Sequence, residues 1–158
     1  MIIGVDLSGA VLDGANLRSA SLSDSSAITT ASFVGAQMHG AILDGINLEA
    51  ARFDYAVLEG ADFSSSTIPR ASFLGARLVG TKFTGAKAWE SDFSRAELLT
   101  VDLQNAELAR SKFTGALLHT CDLSLANVDG CTFTGAKLVD LALTGVTGTA
   151  VGLMRGQV

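Results

Sequence analysis

At 158 residues the chain has the length of one domain, and 48 % apolar residues suffice for a continuous core. Its formal net charge of −5 argues against direct binding to nucleic acid or to an anionic membrane surface. Two cysteines, Cys121 and Cys131, are too few for a disulfide framework and suit a reducing compartment.

The start, Met1 to Asp6, has no basic region and reaches an acid at its sixth position. No signal peptide is read there, and no apolar run approaches the roughly twenty residues of a membrane span. The cytoplasm is the expected location. From Leu7 onwards large apolar residues recur every fifth position: Leu7, Leu12, Leu17 and Leu22. The next, Ile28, comes six residues later, so one extra residue lies within Ser23–Ala27. After that slip the frame holds from Phe33 to Leu153, with Ala88 and Gly148 as its two weak centres. Four units before the slip and 26 after it make 30 in all.

Two residues before each centre the side chain is small, and in the second frame 14 of those 26 positions are Ala. Each unit therefore reads small–x–large–x–x. A period of five matches neither the helical period of about 3.6 nor the strand period of about 2. It matches a chain that turns one corner per unit and keeps its large and small residues inside.

A second period is nested in the first. Phe33, Phe53, Phe73, Phe93, Phe113 and Phe133 stand twenty residues apart, and the remaining two phenylalanines, Phe63 and Phe83, share another register. Sorted by this period, the centres form four columns headed by Leu7, Leu12, Leu17 and Leu22. Four units per coil means that equivalent side chains stack, as they do in in-register parallel sheets. At a strand spacing of about 4.8 Å the chain makes a rod of seven to eight coils, roughly 36 Å long.

The units Ala41-Ile42-Leu43-Asp44-Gly45, Ala61-Asp62-Phe63-Ser64-Ser65 and Ala116-Leu117-Leu118-His119-Thr120 resemble those of the pentapeptide-repeat family, Ala-(Asp/Asn)-Leu-x-x. The resemblance runs over nearly the whole chain, about residues 5–153. It implies an all-β fold, a right-handed quadrilateral β-helix, with residues 1–158 as a single domain.

Candidate sites are few. His39 and His119 follow third-column centres on one outward face, four coils and roughly 19 Å apart, too far to share a metal. Cys121 and Cys131 fall at small inward positions on opposite sides and read as buried hydrophobes. No nucleophile, base and orienting group converge, and a filled rod offers no concave pocket. No catalytic residue, cofactor or metal is therefore assigned, and the chain reads as non-enzymatic. Tyr55 and Trp89 fall at outward positions and are candidate exposed aromatics for a partner.

Charge is uneven around the rod. Beside the fourth column stand Asp24, Asp44, Asp62, Asp102 and Asp122, opposed by Lys82. At the end of the chain, residues 141–154 carry no charge, and an unpaired apolar coil invites association. Leu143, Val146, Val151, Leu153 and Met154 are the residues of that candidate homodimer end.

Two functional readings follow. The first is a structural or protein–protein interaction module. The second, which the resemblance implies, is an acidic DNA mimic that binds DNA gyrase and modulates it, as in quinolone resistance. Duplex DNA carries one charge per about 1.7 Å, so a rod of this length needs roughly twenty. Sixteen acids set against eleven bases fall short of that, which favours the first reading.

Overall fold

The computed structural model describes residues 5–23 and 27–153, and over them the chain winds as a four-sided parallel solenoid. The pairing is parallel and steps by twenty: Ser32 pairs with Arg52, Arg52 with Ser72 and Ser72 with Asp92. Each unit takes a bridging residue, an inward centre and a two-residue turn. In the unit of Phe33 the turn closes by Ala36 N–H donating to the Phe33 carbonyl at 3.0 Å, with Gly35 at φ 66°. A positive φ at the third residue of a closed turn makes it type II. Non-glycine residues also hold this conformation, Tyr55 and Leu125 among them.

The backbone hydrogen bonds explain the five-residue grammar. Phe53 N–H donates to Ser72 O at 2.6 Å, Tyr55 N–H to Leu74 O at 2.9 Å, and Ser72 N–H returns to Ala51 O at 3.0 Å. A fourth N–H, on Ala56, closes the corner onto Phe53 O. The N–H of the first turn residue is left, and every backbone donor needs a partner. Where the bridging residue is Asp or Asn, its side chain supplies one: Asp62 accepts from Ser64 N–H at 2.9 Å and Asn127 from Asp129 N–H at 3.0 Å. The family-like preference for Asp or Asn at that position thus completes the corner.

Inside, six rings from Phe33 to Phe133 stack face to face at 4.7–5.0 Å. Phe63 and Phe83 stack on each other at 4.9 Å and meet the neighbouring rings edge-on. All eight are fully buried. The sequence frame expects this stack, and the rings follow it.

On the third side the ladder lengthens into four parallel strands, β1 (Arg77–Val79), β2 (Glu97–Leu99), β3 (Leu117–His119) and β4 (Lys137–Val139). They pair in the order β1-β2-β3-β4, with Leu78, Leu98, Leu118 and Leu138 in register. Earlier corners of this side close onto Ala41 and Ala61. Here the following residues are Thr81, Val101, Cys121 and Leu141, all larger than alanine, and no such closing bond forms at these corners.

Both ends depart from the period of twenty. Asp6 pairs with Ala27 and Ser21 with Ile42, a step of 21, which puts the extra residue between Ser21 and Ala27. At the other end Asn127 pairs with Thr147, but Thr132 pairs with Val151, a step of 19. This corrects the register expected for Leu153: Gly152, not Leu153, comes opposite Phe133. The last corner is one residue short, and on either side of it the chain presses against the coil below at a glycine. A Cβ at Gly148 would lie 2.5 Å from Asp129 N, and one at Gly152 would lie 2.9 Å from Phe133 C.

Candidate interaction faces and the family

The fourth face was expected to present a row of acids. Asp62, Lys82, Asp102 and Asp122 do stand in one ladder, each bridged to the next. Their carboxylates are engaged, however. Asp102 accepts from Gln104 N–H at 2.9 Å and from the Thr84 hydroxyl at 2.8 Å. Asp122 accepts from Ser124 N–H and from the Gln104 amide, both at 2.8 Å. Asp44 lies exposed on its corner and accepts from the Ser23 hydroxyl at 2.6 Å. Asp24 lies outside the described residues.

Lys82 interrupts the row, its Nζ 3.8 Å from Asp62. Partial burial pushes the Asp62 carboxyl up. The hydrogen bonds from Ser64 and the charge of Lys82 together outweigh that effect and hold it below the ordinary aspartate value. Asp62, Asp102 and Asp122 are therefore half-buried carboxylates, each accepting one or two hydrogen bonds from its own turn or from the neighbouring coil.

The two aromatics differ. Tyr55 is 61 % exposed, and its ring covers Gly75 of the next coil, where a Cβ would come within 2.7 Å of it. Trp89 is half-buried rather than exposed. The ladder sets it one coil above Pro69, which is itself buried.

His119 is exposed, while His39 Nε2 lies 3.4 Å from Glu59 and its Nδ1 is buried without a partner. Among the described residues no three His, Cys, Asp or Glu side chains are grouped so that they could hold a metal ion. Both cysteines are buried and unpaired. Burial raises both thiols, that of Cys131 to about 11. The thiol of Cys131 donates to Leu108 O at 2.9 Å. In the same column the hydroxyls of Ser91 and Ser111 donate to Ile68 O and Ala88 O at 2.8 and 2.7 Å. Cys131 takes the place of a buried serine, and Cys121, whose thiol donates to Leu98 O at 3.2 Å, takes the place of buried Thr81, whose hydroxyl donates to Leu58 O.

At the C-terminal end Leu143, Val146 and Leu153 are half-buried against the core and Val151 is 63 % exposed. Met154 lies outside the described residues. Analysis of the sequence missed the third face, where Arg77 bridges Glu59 and Glu97, beside half-buried Val79, Leu99 and Val139. The signal was available, since outward residues stack every twenty positions just as the centres do. On the second face Arg52 donates two bonds to the buried carboxylate of Asp54, at 3.2 and 2.8 Å, and Ser72 adds a third.

A family model described as pentapeptide repeats matches in eight copies, over residues 2–27, 31–68, 70–98, 76–115, 102–138 and 111–147. Among solved structures, the chain is similar to the pentapeptide repeat protein Rfr23 from the cyanobacterium Cyanothece 51142. Identity is 22 %, the TM-score 0.58, and the match covers 73 % of this chain and 90 % of that one. It is also similar to HetL, a pentapeptide repeat protein involved in heterocyst differentiation regulation in a Nostoc strain. There the identity is 21 % and the TM-score 0.50, over 89 % and 75 % of the two chains. A trypsin-treated form of QnrB1, a plasmid-mediated fluoroquinolone resistance protein, matches at 18 % identity and TM-score 0.51, over 88 % and 80 %. No curated protein matches the sequence. At these identities the likeness is one of fold. The five-residue unit, the coil of four units and the repeat matches along nearly all of its length agree: the chain belongs to the pentapeptide-repeat family, whose members form right-handed quadrilateral β-helices.

Proposed function

We propose that this chain is a non-catalytic interaction module of the cytoplasm, a stiff rod that presents flat polar faces to another protein. One observation carries the reading. The interior is filled by stacked phenylalanine and leucine, so chemistry is left to the outer faces and the two ends. Pentapeptide-repeat proteins are in general structural or interaction modules. The C-terminal coil, with Leu143, Val146, Val151 and Leu153, is the end through which copies associate into a homodimer. The folded rod is expected to retain a specific protein from a lysate of its own source. A triple change of Asp62, Asp102 and Asp122 to Asn is expected to alter that capture. Retention of no partner by the folded rod sinks the reading.

A second reading rests on the ladder of Asp62, Asp102 and Asp122 with Asp44 at its side: an acidic surface that occupies the DNA site of gyrase and modulates the enzyme. Lys82 and the internal hydrogen bonds weigh against it. A supercoiling assay with purified gyrase, with and without a quinolone, decides the matter. No effect in either arm removes this reading and leaves the first standing.

A further inference from the structure

The third face carries two outward rows, one on each side of its centres. The first reads Val57, Arg77, Glu97, Leu117 and the second Glu59, Val79, Leu99, His119, each residue one coil above the one before. Val57, Val79, Leu99 and Leu117 are half-buried, and Arg77 and His119 are exposed. The strands β1 to β4 make this side an extended sheet, a surface that another sheet covers at a spacing of about 10 Å.

Both rows are complementary to themselves when reversed. A second copy laid face to face, with the rods antiparallel, has a twofold axis that can cross between the coils of Leu78 and Leu98. Residues of the same row then meet in inverted order. Arg77 faces Glu97 and Glu97 faces Arg77, Val57 faces Leu117, Val79 faces Leu99, and Glu59 faces His119. Apolar side chains meet apolar side chains, each arginine meets a carboxylate, and the remaining carboxylate meets an imidazole. The neighbouring registers do not match. Moving the axis by half a coil sets Arg77 on Arg77 or Glu97 on Glu97, and like charges across a contact are costly. Moving it by a whole coil sets Glu59 on Val79 or Arg77 on Lys137. Parallel rods would set Arg77 on Val79 and Glu97 on Leu99, each charge against an apolar group.

The polar atoms that this contact needs are unspent. Arg77 donates through Nη1 to Glu59 and through Nε to Glu97 at 3.3 Å, which leaves Nη2 without a partner among the described residues. Glu97 accepts through Oε2, and its Oε1 accepts nothing there. In a pair of copies the two arginines and two glutamates alternate around the axis. Each guanidinium then has carboxylates on its own chain and one across the contact. His119 engages the Thr120 hydroxyl through Nδ1 at 3.0 Å, and its Nε2 has no partner among the described residues.

We propose that the third face is a contact between two copies of this chain, an antiparallel side-by-side dimer centred between Leu78 and Leu98. Such a contact is isologous and closes at two copies. It lies on interior coils and is separate from association through the C-terminal coil.

Sedimentation equilibrium of the full chain over a wide concentration range tests it, in a Val151→Glu background that charges the C-terminal coil at an exposed position. This parent is expected to dimerise. Arg77→Glu and Glu97→Arg, each alone, are expected to be monomeric, because each sets two pairs of like charges across the axis. Their equimolar mixture is expected to recover the dimer mass, since the acids of one variant meet the bases of the other. A role of Arg77 and Glu97 confined to their own chain would not produce that recovery. Circular dichroism checks the fold, and Val79→Asp with Leu99→Lys replaces any variant that does not fold, with the same pattern expected. Single variants that keep the dimer, or a folded mixture that stays monomeric, overturn the contact. A wild type that dimerises while the folded parent stays monomeric also overturns it and leaves the C-terminal association standing.

Discussion

The interior coils and the last coil are written in the same five-residue grammar, yet they bury their centres unequally. Phe93 lies between Phe73 and Phe113 at 4.7 and 5.0 Å and is fully buried. Leu143 has a coil beneath it and is half-buried. Stability in such a rod comes from each coil's contact with its two neighbours. A centre with both neighbours gains the full benefit of about 1.5–3 kcal/mol for a buried large apolar side chain. A centre with one described neighbour gains less.

The sharpest test of that difference is to remove rings at two heights. Phe93→Ala is expected to cost about 3–5 kcal/mol, because stacked neighbours on both sides prevent the gap from closing. Phe133→Ala is expected to cost roughly 1 kcal/mol less, since Phe133 stacks on one ring instead of two. Equal losses in urea denaturation would mean that the rod melts without regard to position in the stack.

The shortened corner of the last coil gives the next largest effect. Gly148→Ala places a Cβ against Asp129 N at a backbone φ of 87°. A cost of about 1–3 kcal/mol follows from strain and overpacking. Hydrogen exchange should show the loosening in residues 141–153 and unchanged protection around Phe93. Faster exchange in the middle coils would contradict the nearest-neighbour picture.

Acid titration probes the outer face against the core. The folded carboxyl of Asp62 lies below its ordinary value, so its contribution is present at neutral pH and is lost as the pH falls through that depressed value. Melting temperature is expected to fall as the pH drops below the ordinary aspartate range, and Asp62→Asn is expected to flatten part of that fall. An unchanged slope in the variant would show that the bonds from Ser64 and Lys82 do not stabilise the fold.

The smallest effect is expected inside, at the cysteines. Near pH 8 the native thiols should be inert to a thiol reagent, because burial keeps them protonated, while the unfolded chain reacts at both. Cys131→Ser should change stability by less than about 1 kcal/mol, since Ser91 and Ser111 make the same bond in the same column. Rapid labelling of the folded protein would show that the coils around them open.

Much of this architecture was legible in the chain itself. A period of five excludes helix and simple strand. A period of twenty assigns Phe33 to Phe133 to one column, because identical coils impose identical surroundings on equivalent positions. The site was less legible. The acids of the fourth face were readable as a row, but their engagement with Ser64, Thr84, Gln104 and Ser124 was not. A count of charges does not tell which oxygen accepts which N–H. Trp89 read as exposed because its position points outward, and its half-burial is a property of the folded rod.

By itself, then, the sequence determined the repeat and, for the interior coils, the columns and the burial of their centres, since those follow from periodicity and side-chain size alone. The tertiary structure decided the shortened step at Val151 and the open corners at β1 to β4. Each of these depends on how a backbone group meets a group some twenty residues away, and that distance is set only when the coils close.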